Sequence, residues 1–318
     1  MRLYALLLVT CFGVSLIACG DKQPAAPAQE VQLPPLPYDR ELYALAQNGA
    51  FSGSVLVALP DTVFEQSYRL EGAPERMHTA SNRRYPIGEV AQLFVRAAYF
   101  RLADQGRFNL NENVSSLVPE LQGLRYAGQA VTINYRMLLD HRSGLPQVLP
   151  KGQALSDVQL ISQPGIEEHY TPLGYELLAR ALSERLGQPI EDLIRVNVLE
   201  PATMSNTATF YHKDGDFPNR AVGFTDATGT LAEVPLQAFG ESGLVGGVPE
   251  YYSTITDLFY LAQWMPESAY LKGKLVQPAV RPGYRAFFEA QADGSKVAVV
   301  LSNFGGADMQ AARAIVRE

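Results

Sequence analysis

The chain reads as an α+β fold, an α/β sandwich in which one antiparallel sheet is built from both chain termini, flanked by helices, with a mostly helical lobe inserted. Three observations predict it. Strand-like runs lie towards both ends of the globular part, helical patterns fill the middle, and each pair of runs carries its own turn signal. Strands so far apart in sequence bury a common face by sharing a sheet. The 318 residues are 47% hydrophobic and 19% charged, which suits one large domain or a domain carrying an inserted lobe.

In chain order, residues 38–47 carry a helical pattern. Residues 52–59 and 62–70 are strand-like runs joined at Pro60-Asp61, a turn pair. Tyr85-Pro86-Ile87-Gly88 reads as a strand end and a turn, and a helix begins at about Glu89. Residues 284–290 and 296–303 form a second hairpin, turned by Asp293-Gly294. Residues 308–316 close the chain as a helix. This order places a cleft between sheet and lobe, at the start of the Glu89 helix.

The N-terminus reads as an export signal. Met1-Arg2 is a minimal positive region, and residues 3–16 form an apolar stretch too short for a comfortable membrane span. Leu16-Ile17-Ala18-Cys19 has the form of a bacterial lipobox. The expected organisation is a lipoprotein signal peptide at 1–18, a lipidated Cys19 with a flexible tether to residue 37, and one domain over 38–318. Asp21 is the third residue from Cys19 rather than the second, which favours the outer membrane over the inner one. The expected location is periplasm-facing, with the membrane a partner through Cys19.

Composition excludes several classes. Cys11 leaves with the signal and Cys19 becomes the anchor, so the domain has no disulfide framework and no cysteine metal site. His78, His141, His169 and His212 are scattered without metal-binding spacing, and neither a metal nor a cofactor is expected. A net charge of −7 argues against nucleic acid and against an electrostatic hold on anionic lipid.

Four segments carry a resemblance to a known family. Residues 85–98 match F-x-I-G-S-x-x-K-x-F at Ile87, Gly88 and Phe94. Residues 131–146 resemble V-T-I-x-x-L-L-x-H-x-S-G-L-P, through His141, Ser143, Gly144, Leu145 and Pro146. Pro164-Gly165 and residues 170–178 resemble P-G-x-x-x-x-Y-S-N-x-G-Y-x-L-L, and residues 199–207 resemble I-x-x-P-L-G-M-x-x-T. Together they resemble the serine hydrolases of the β-lactamase and penicillin-binding-protein type, in the class C β-lactamase-related branch that also holds esterases and D-amino-acid peptidases. The resemblance implies the β-lactamase/transpeptidase-like fold, with an active site built on Ser-x-x-Lys.

The chain departs from that pattern at every reactive element. Glu89 stands where the family has its nucleophilic serine, and Gln92 where it has its lysine. Residues three apart share a helix face, so the family's pair can hydrogen-bond and the lysine can help take the hydroxyl proton. Gln92 takes no proton, and Glu89 is a weak nucleophile that would repel a substrate carboxylate. Tyr170 is kept, but Thr171-Pro172 replaces the Ser-Asn that follows it, deleting a side-chain amide and a backbone donor. Anchored on Pro282-Gly283-Tyr284, the third element falls at Gln277-Pro278-Ala279, without its basic residue and its glycine. Pro278 is expected to spoil that edge strand as a pairing surface. The expectation is a catalytically degenerate member, a pseudoenzyme.

Other residues divide between functional and structural readings. Glu89, Gln92 and Arg96 make one polar stripe, either a ligand-binding floor in which Arg96 partly neutralises Glu89 or a network filling the vacated site. His169 could act as a base near the cleft or simply be exposed. Ser143 reads as a turn cap. Gly243-Leu244-Val245-Gly246-Gly247 reads as a tight backbone path, and Tyr251, Tyr252 and Trp264 as cleft-rim aromatics or core. The candidate ligand-binding set is Glu89, Gln92, Arg96, His169 and Tyr170. The ligands considered are a peptidoglycan fragment, a small acyl or peptide ligand, and an envelope protein. The alternatives are a hydrolase with relocated chemistry, using Glu89 or His169 as base, and an envelope scaffold.

Overall fold

The computed structural model describes residues 37–209, 218–226, 229–235, 244–245, 248–271 and 273–317. The expected signal peptide, Cys19 and tether therefore lie outside the described residues, as do His212 and the glycines of the 243–247 segment.

Continuous apolar runs, rather than alternating ones, mark the strands covered on both faces. β1 (Gly53–Leu59) and the last strand (Val297–Ser302) are such runs, buried along nearly their whole length. They pair antiparallel at the centre of a five-stranded sheet, with Val55 opposite Val300 and Val57 opposite Ala298. β2 (Thr62–Tyr68) is one edge, and its largely exposed residues show it. On the other side β4 (Tyr284–Gln291) joins the last strand, β5, and β3 (Lys274–Arg281) forms the opposite edge. The sheet is thus assembled from both ends of the chain, as the sequence predicts.

Strand parity separates two cores. Val55, Val57, Phe287, Ala298 and Val300 point to one face, where α1 (Pro37–Gln47) and α7 (Met309–Arg317) cover them with Leu42, Ala46, Ala312 and Val316. Leu56, Ala58, Phe288, Val299 and Leu301 point to the other, into the larger core shared with the lobe. Each fully buried side chain of this kind stabilises by roughly 1.5–3 kcal/mol. α7 begins one residue later than expected because Asp308 caps it, its carboxylate accepting from the Ala311 N–H at 2.9 Å.

The inserted part centres on α2 (Gln92–Asp104), buried on nearly all sides. Around it lie α3 (Tyr135–Leu139), α4 (Pro172–Leu186), α5 (Ile190–Ile194), which runs on into a π-helical turn at Arg195–Leu199, and α6 (Ile255–Trp264). Tyr99, Phe108 and Tyr135 pack ring on ring at 4.7–5.7 Å, and the Tyr99 hydroxyl donates to the Leu178 carbonyl at 2.8 Å. Of the two readings of Tyr251 and Tyr252, the core one holds: both are buried in a short strand, Tyr251–Ser253, which pairs with Tyr85–Pro86. Among the described residues no helix is long and apolar enough to cross a membrane.

Candidate functional site

The helix expected at Glu89 begins in two stages. Gly88–Ala91 is a turn of 3-10 helix, and α2 proper starts at Gln92. The cause is local. Ile87 donates its N–H to the Tyr251 carbonyl, and Gly88 sits at φ 52°, in the left-handed region. A Cβ on Gly88 would meet the Ala279 Cβ at 3.1 Å and the Arg281 side chain at 3.3 Å. The glycine lets the turn close against β3, so Glu89 arrives beside that edge strand.

A cleft of about 840 Å³ opens there. Its walls come from the Glu89 turn and α2, the loop that follows α3, Tyr170, and β3 from Lys274 to Val280. Gln277, Pro278 and Ala279 all line it. β3 stays regular through Pro278, opposite Phe287, because an edge strand tolerates a missing N–H. The expectation that Pro278 spoils the edge narrows to the loss of one donor.

Gln92 and Tyr170 are brought together. The buried Gln92 amide donates to the Tyr170 hydroxyl at 3.2 Å, so an amide occupies the position next to the tyrosine. Burial, and then the charge of Glu89, push the Tyr170 phenol up to about 12. Tyr170 is therefore a neutral hydroxyl at ordinary pH, able to donate and unable to serve as a base. Its ring packs 4.9 Å from His141. His141 is held near 4, first by burial and then by Arg96, and so is neutral; it accepts from the Thr171 N–H at 3.3 Å.

Glu89 stands apart. Its Oε2 is shielded from solvent and has no hydrogen-bond partner, and among the described residues no cation pairs with it. Of the two readings of Arg96, the structural one fits its contacts, and it does not neutralise Glu89. Arg96 lines the cleft, but its guanidinium is consumed elsewhere: Nε to the Ala269 carbonyl at 2.5 Å, Nη1 to the Leu139 carbonyl at 2.7 Å, and Nη2 to Asp140 at 2.9 Å. Three segments converge on one buried cation, so Arg96 is a structural clamp. His169 is corrected too. It does not line the cleft, and its ring pairs with the exposed Glu167 at 2.9 Å.

The Thr171-Pro172 substitution costs less than expected. Thr171 caps α4, its hydroxyl accepting from the Gly174 N–H and donating to the Pro146 carbonyl at 2.8 Å. Pro172 occupies the first helical turn, where a backbone N–H has no intrahelical partner anyway. The side-chain amide is still gone. Ser143 is fully buried, and its hydroxyl accepts from the Leu145 N–H, the turn-capping role expected of it.

Sequence reasoning missed Glu250. This buried carboxylate accepts from the Gly88 N–H at 3.2 Å and pairs with Arg281 at 2.8 Å, tying the Glu89 turn to β3. Burial raises it to about 7 against the opposing pull of Arg281. The available signal was a lone acid inside the otherwise apolar run Val248-Pro249-Glu250-Tyr251-Tyr252. Among the described residues, no group of three or more His, Cys, Asp or Glu could hold a metal ion.

A sheet built from both termini, with a helical insert and a cleft at the head of α2, is the arrangement the four motifs imply. A family model described as Beta-lactamase matches residues 44–313. The chain belongs to the beta-lactamase family. Similar solved structures share its fold at low identity. A class C beta-lactamase superposes with a TM-score of 0.69 at 17% identity, over 88% of this chain and 93% of the other. A penicillin binding protein from Bacillus halodurans gives 0.68 at 16%, over 87% and 99%. FmtA from Staphylococcus aureus gives 0.67 at 17%, over 88% and 87%. In sequence, Protein flp of Staphylococcus aureus is 28% identical over 194 residues, 56% of this chain and 38% of that protein. Beta-lactamase-like protein 4 of Dictyostelium discoideum is 28% identical over 202 residues, 56% of this chain and 35% of its own length. The chain spans well under half the length of these curated relatives.

Proposed function

We propose that this member of the beta-lactamase family is a lipid-anchored cell-envelope pseudoenzyme that binds a ligand in the cleft instead of forming an acyl-enzyme. One observation carries the reading. At the head of α2 the Gln92 amide holds the Tyr170 hydroxyl, and Glu89 occupies the nucleophile position. The cleft's lining supports it further: among the described lining residues there is no serine, and Lys274 is the sole lysine. Losing a nucleophile alone costs several orders of magnitude in rate. The lipobox at Leu16–Cys19 supports anchoring at the outer membrane, and the cleft's mixed polar and apolar walls suit a peptidoglycan fragment or another small acyl or peptide ligand.

The test is covalent labelling. Purified protein exposed to a fluorophosphonate and to a β-lactam keeps its intact mass, and addition of either probe at a defined residue overturns the reading. Replacing Cys19 with Ala moves the protein from the membrane to the soluble fraction; unchanged fractionation removes the anchor.

A second reading is favoured by the unpartnered Glu89 oxygen: a hydrolase in which Glu89 is the base for an attacking water. It requires ester turnover that Glu89→Gln abolishes.

A further inference from the structure

Glu89 poses a problem of charge. A carboxylate oxygen without solvent or partner leaves an interaction unmade, and native proteins rarely tolerate this without a reason. Arg96, on the same helix, and Arg281, packed beside Gly88, are both committed. Arg96 is bound to Asp140 and two carbonyls, and Arg281 is paired with Glu250. The groups that feel Glu89 are the Tyr170 phenol and the Glu250 carboxyl, and neither brings a positive charge. A ligand settling over this turn deepens the burial of the carboxylate. If it supplied only an amide N–H, it would leave a net charge desolvated.

The cleft is also polarised along its length. Ala279 abuts the Glu89 turn at Gly88, while Lys274 begins the same strand five residues earlier, roughly 17 Å away at the usual rise. Lys274 is exposed and lines the cleft, and among the described residues its side chain has no ion-pair partner. Arg136, which also lines the cleft, is paired with Asp140 at 2.8 Å. The Glu89 carboxylate and the Lys274 ammonium thus lie about one strand length apart in the same cleft, with Glu168 and Arg142 also in its lining.

We infer that the cleft takes a dipolar chain amine-first, seating a primary ammonium on the Glu89 carboxylate, which lines the cleft beside the Tyr170 hydroxyl. This rests on the ligand-binding reading above and gives it a chemical class: a short extended peptide, or a similar chain, bearing a free amino end. Tyr170 and Gln92 then position the carboxylate's neighbourhood, and the Lys274 end accepts the acidic terminus.

The test uses pentaalanine, which spans about 17 Å extended, against its N-acetylated form, with titration followed by calorimetry or amide NMR. Pentaalanine is expected to bind at least tenfold more tightly than N-acetyl-pentaalanine. Glu89→Gln is expected to weaken pentaalanine at least tenfold and leave the acetylated peptide unchanged, so the preference vanishes. Glu89→Ala provides a second variant should the amide perturb the turn, and unchanged thermal melting checks the fold of each. Equal binding of the two peptides, or a preference that survives both substitutions, overturns the amine-first inference while ligand binding stands. Binding of neither peptide overturns the inference and the short-peptide reading together.

Discussion

Two loops meet at the cleft, and their polar groups are treated in opposite ways. In the His141–Pro146 loop each key buried group is spoken for. His141 accepts from Thr171, the Ser143 hydroxyl accepts from Leu145, and Gly144 passes so close to Ser162 that a Cβ would lie 2.2 Å from its carbonyl oxygen. In the Glu89 turn, by contrast, a shielded carboxylate oxygen has no partner, and a second carboxyl, Glu250, is pushed up to about 7. The first loop keeps the family pattern and is satisfied; the second departs from it and is not. Satisfied polar groups make a scaffold, while an unsatisfied one in an open cleft invites a ligand.

The comparison can be broken first at its clamp. Arg96→Ala leaves Asp140 and two carbonyls short of a buried donor, and is expected to cost about 3–5 kcal/mol in denaturant unfolding. A loss below about 1 kcal/mol would show that the lobe does not depend on it. Next is Gly144→Ala, where a left-handed φ of 73° and the Ser162 contact act together. A loss of about 3 kcal/mol is expected, and a silent change would mean that the loop relaxes freely.

The third prediction concerns pH. The Glu250 carboxyl lies near 7 in the fold against an ordinary 4.5, so the folded state holds a proton that the unfolded chain releases. Its contribution is complete below about 4.5, declines as pH rises to about 7, and is constant above that. The decline is at most about 3 kcal/mol. Glu250→Gln should flatten the fall in thermal stability between these pH values, and an identical slope in the variant excludes Glu250 as its source. The smallest effect is expected at Glu89. In the unliganded protein Glu89→Gln should be neutral or stabilising by up to about 1 kcal/mol, since it removes a charge without a partner. A clear loss of melting temperature would instead place Glu89 among the scaffold groups.

Much of the fold could be read from local pattern. β1 and β5 are unbroken apolar runs, the hairpin turns carry Pro60-Asp61 and Asp293-Gly294, and the motif residues mark the head of α2. The assignments that failed depended on distant partners. Arg96 shares a helix face with Glu89, yet its partners lie 43, 44 and 173 residues away and turn it inward. His169 precedes Tyr170 in the chain and still misses the cleft. Glu250 reaches Gly88 across 162 residues, a contact that helix periodicity does not encode.

The amino-acid string alone determined which side chains stand at the motif positions, because a side chain's chemistry belongs to the residue wherever it is placed. It also determined the strand and helix order, since burial periodicity is a local property. Only the folded chain decided which remaining groups are satisfied and which are left over, because solvation and pairing depend on neighbours that folding brings within a few ångströms.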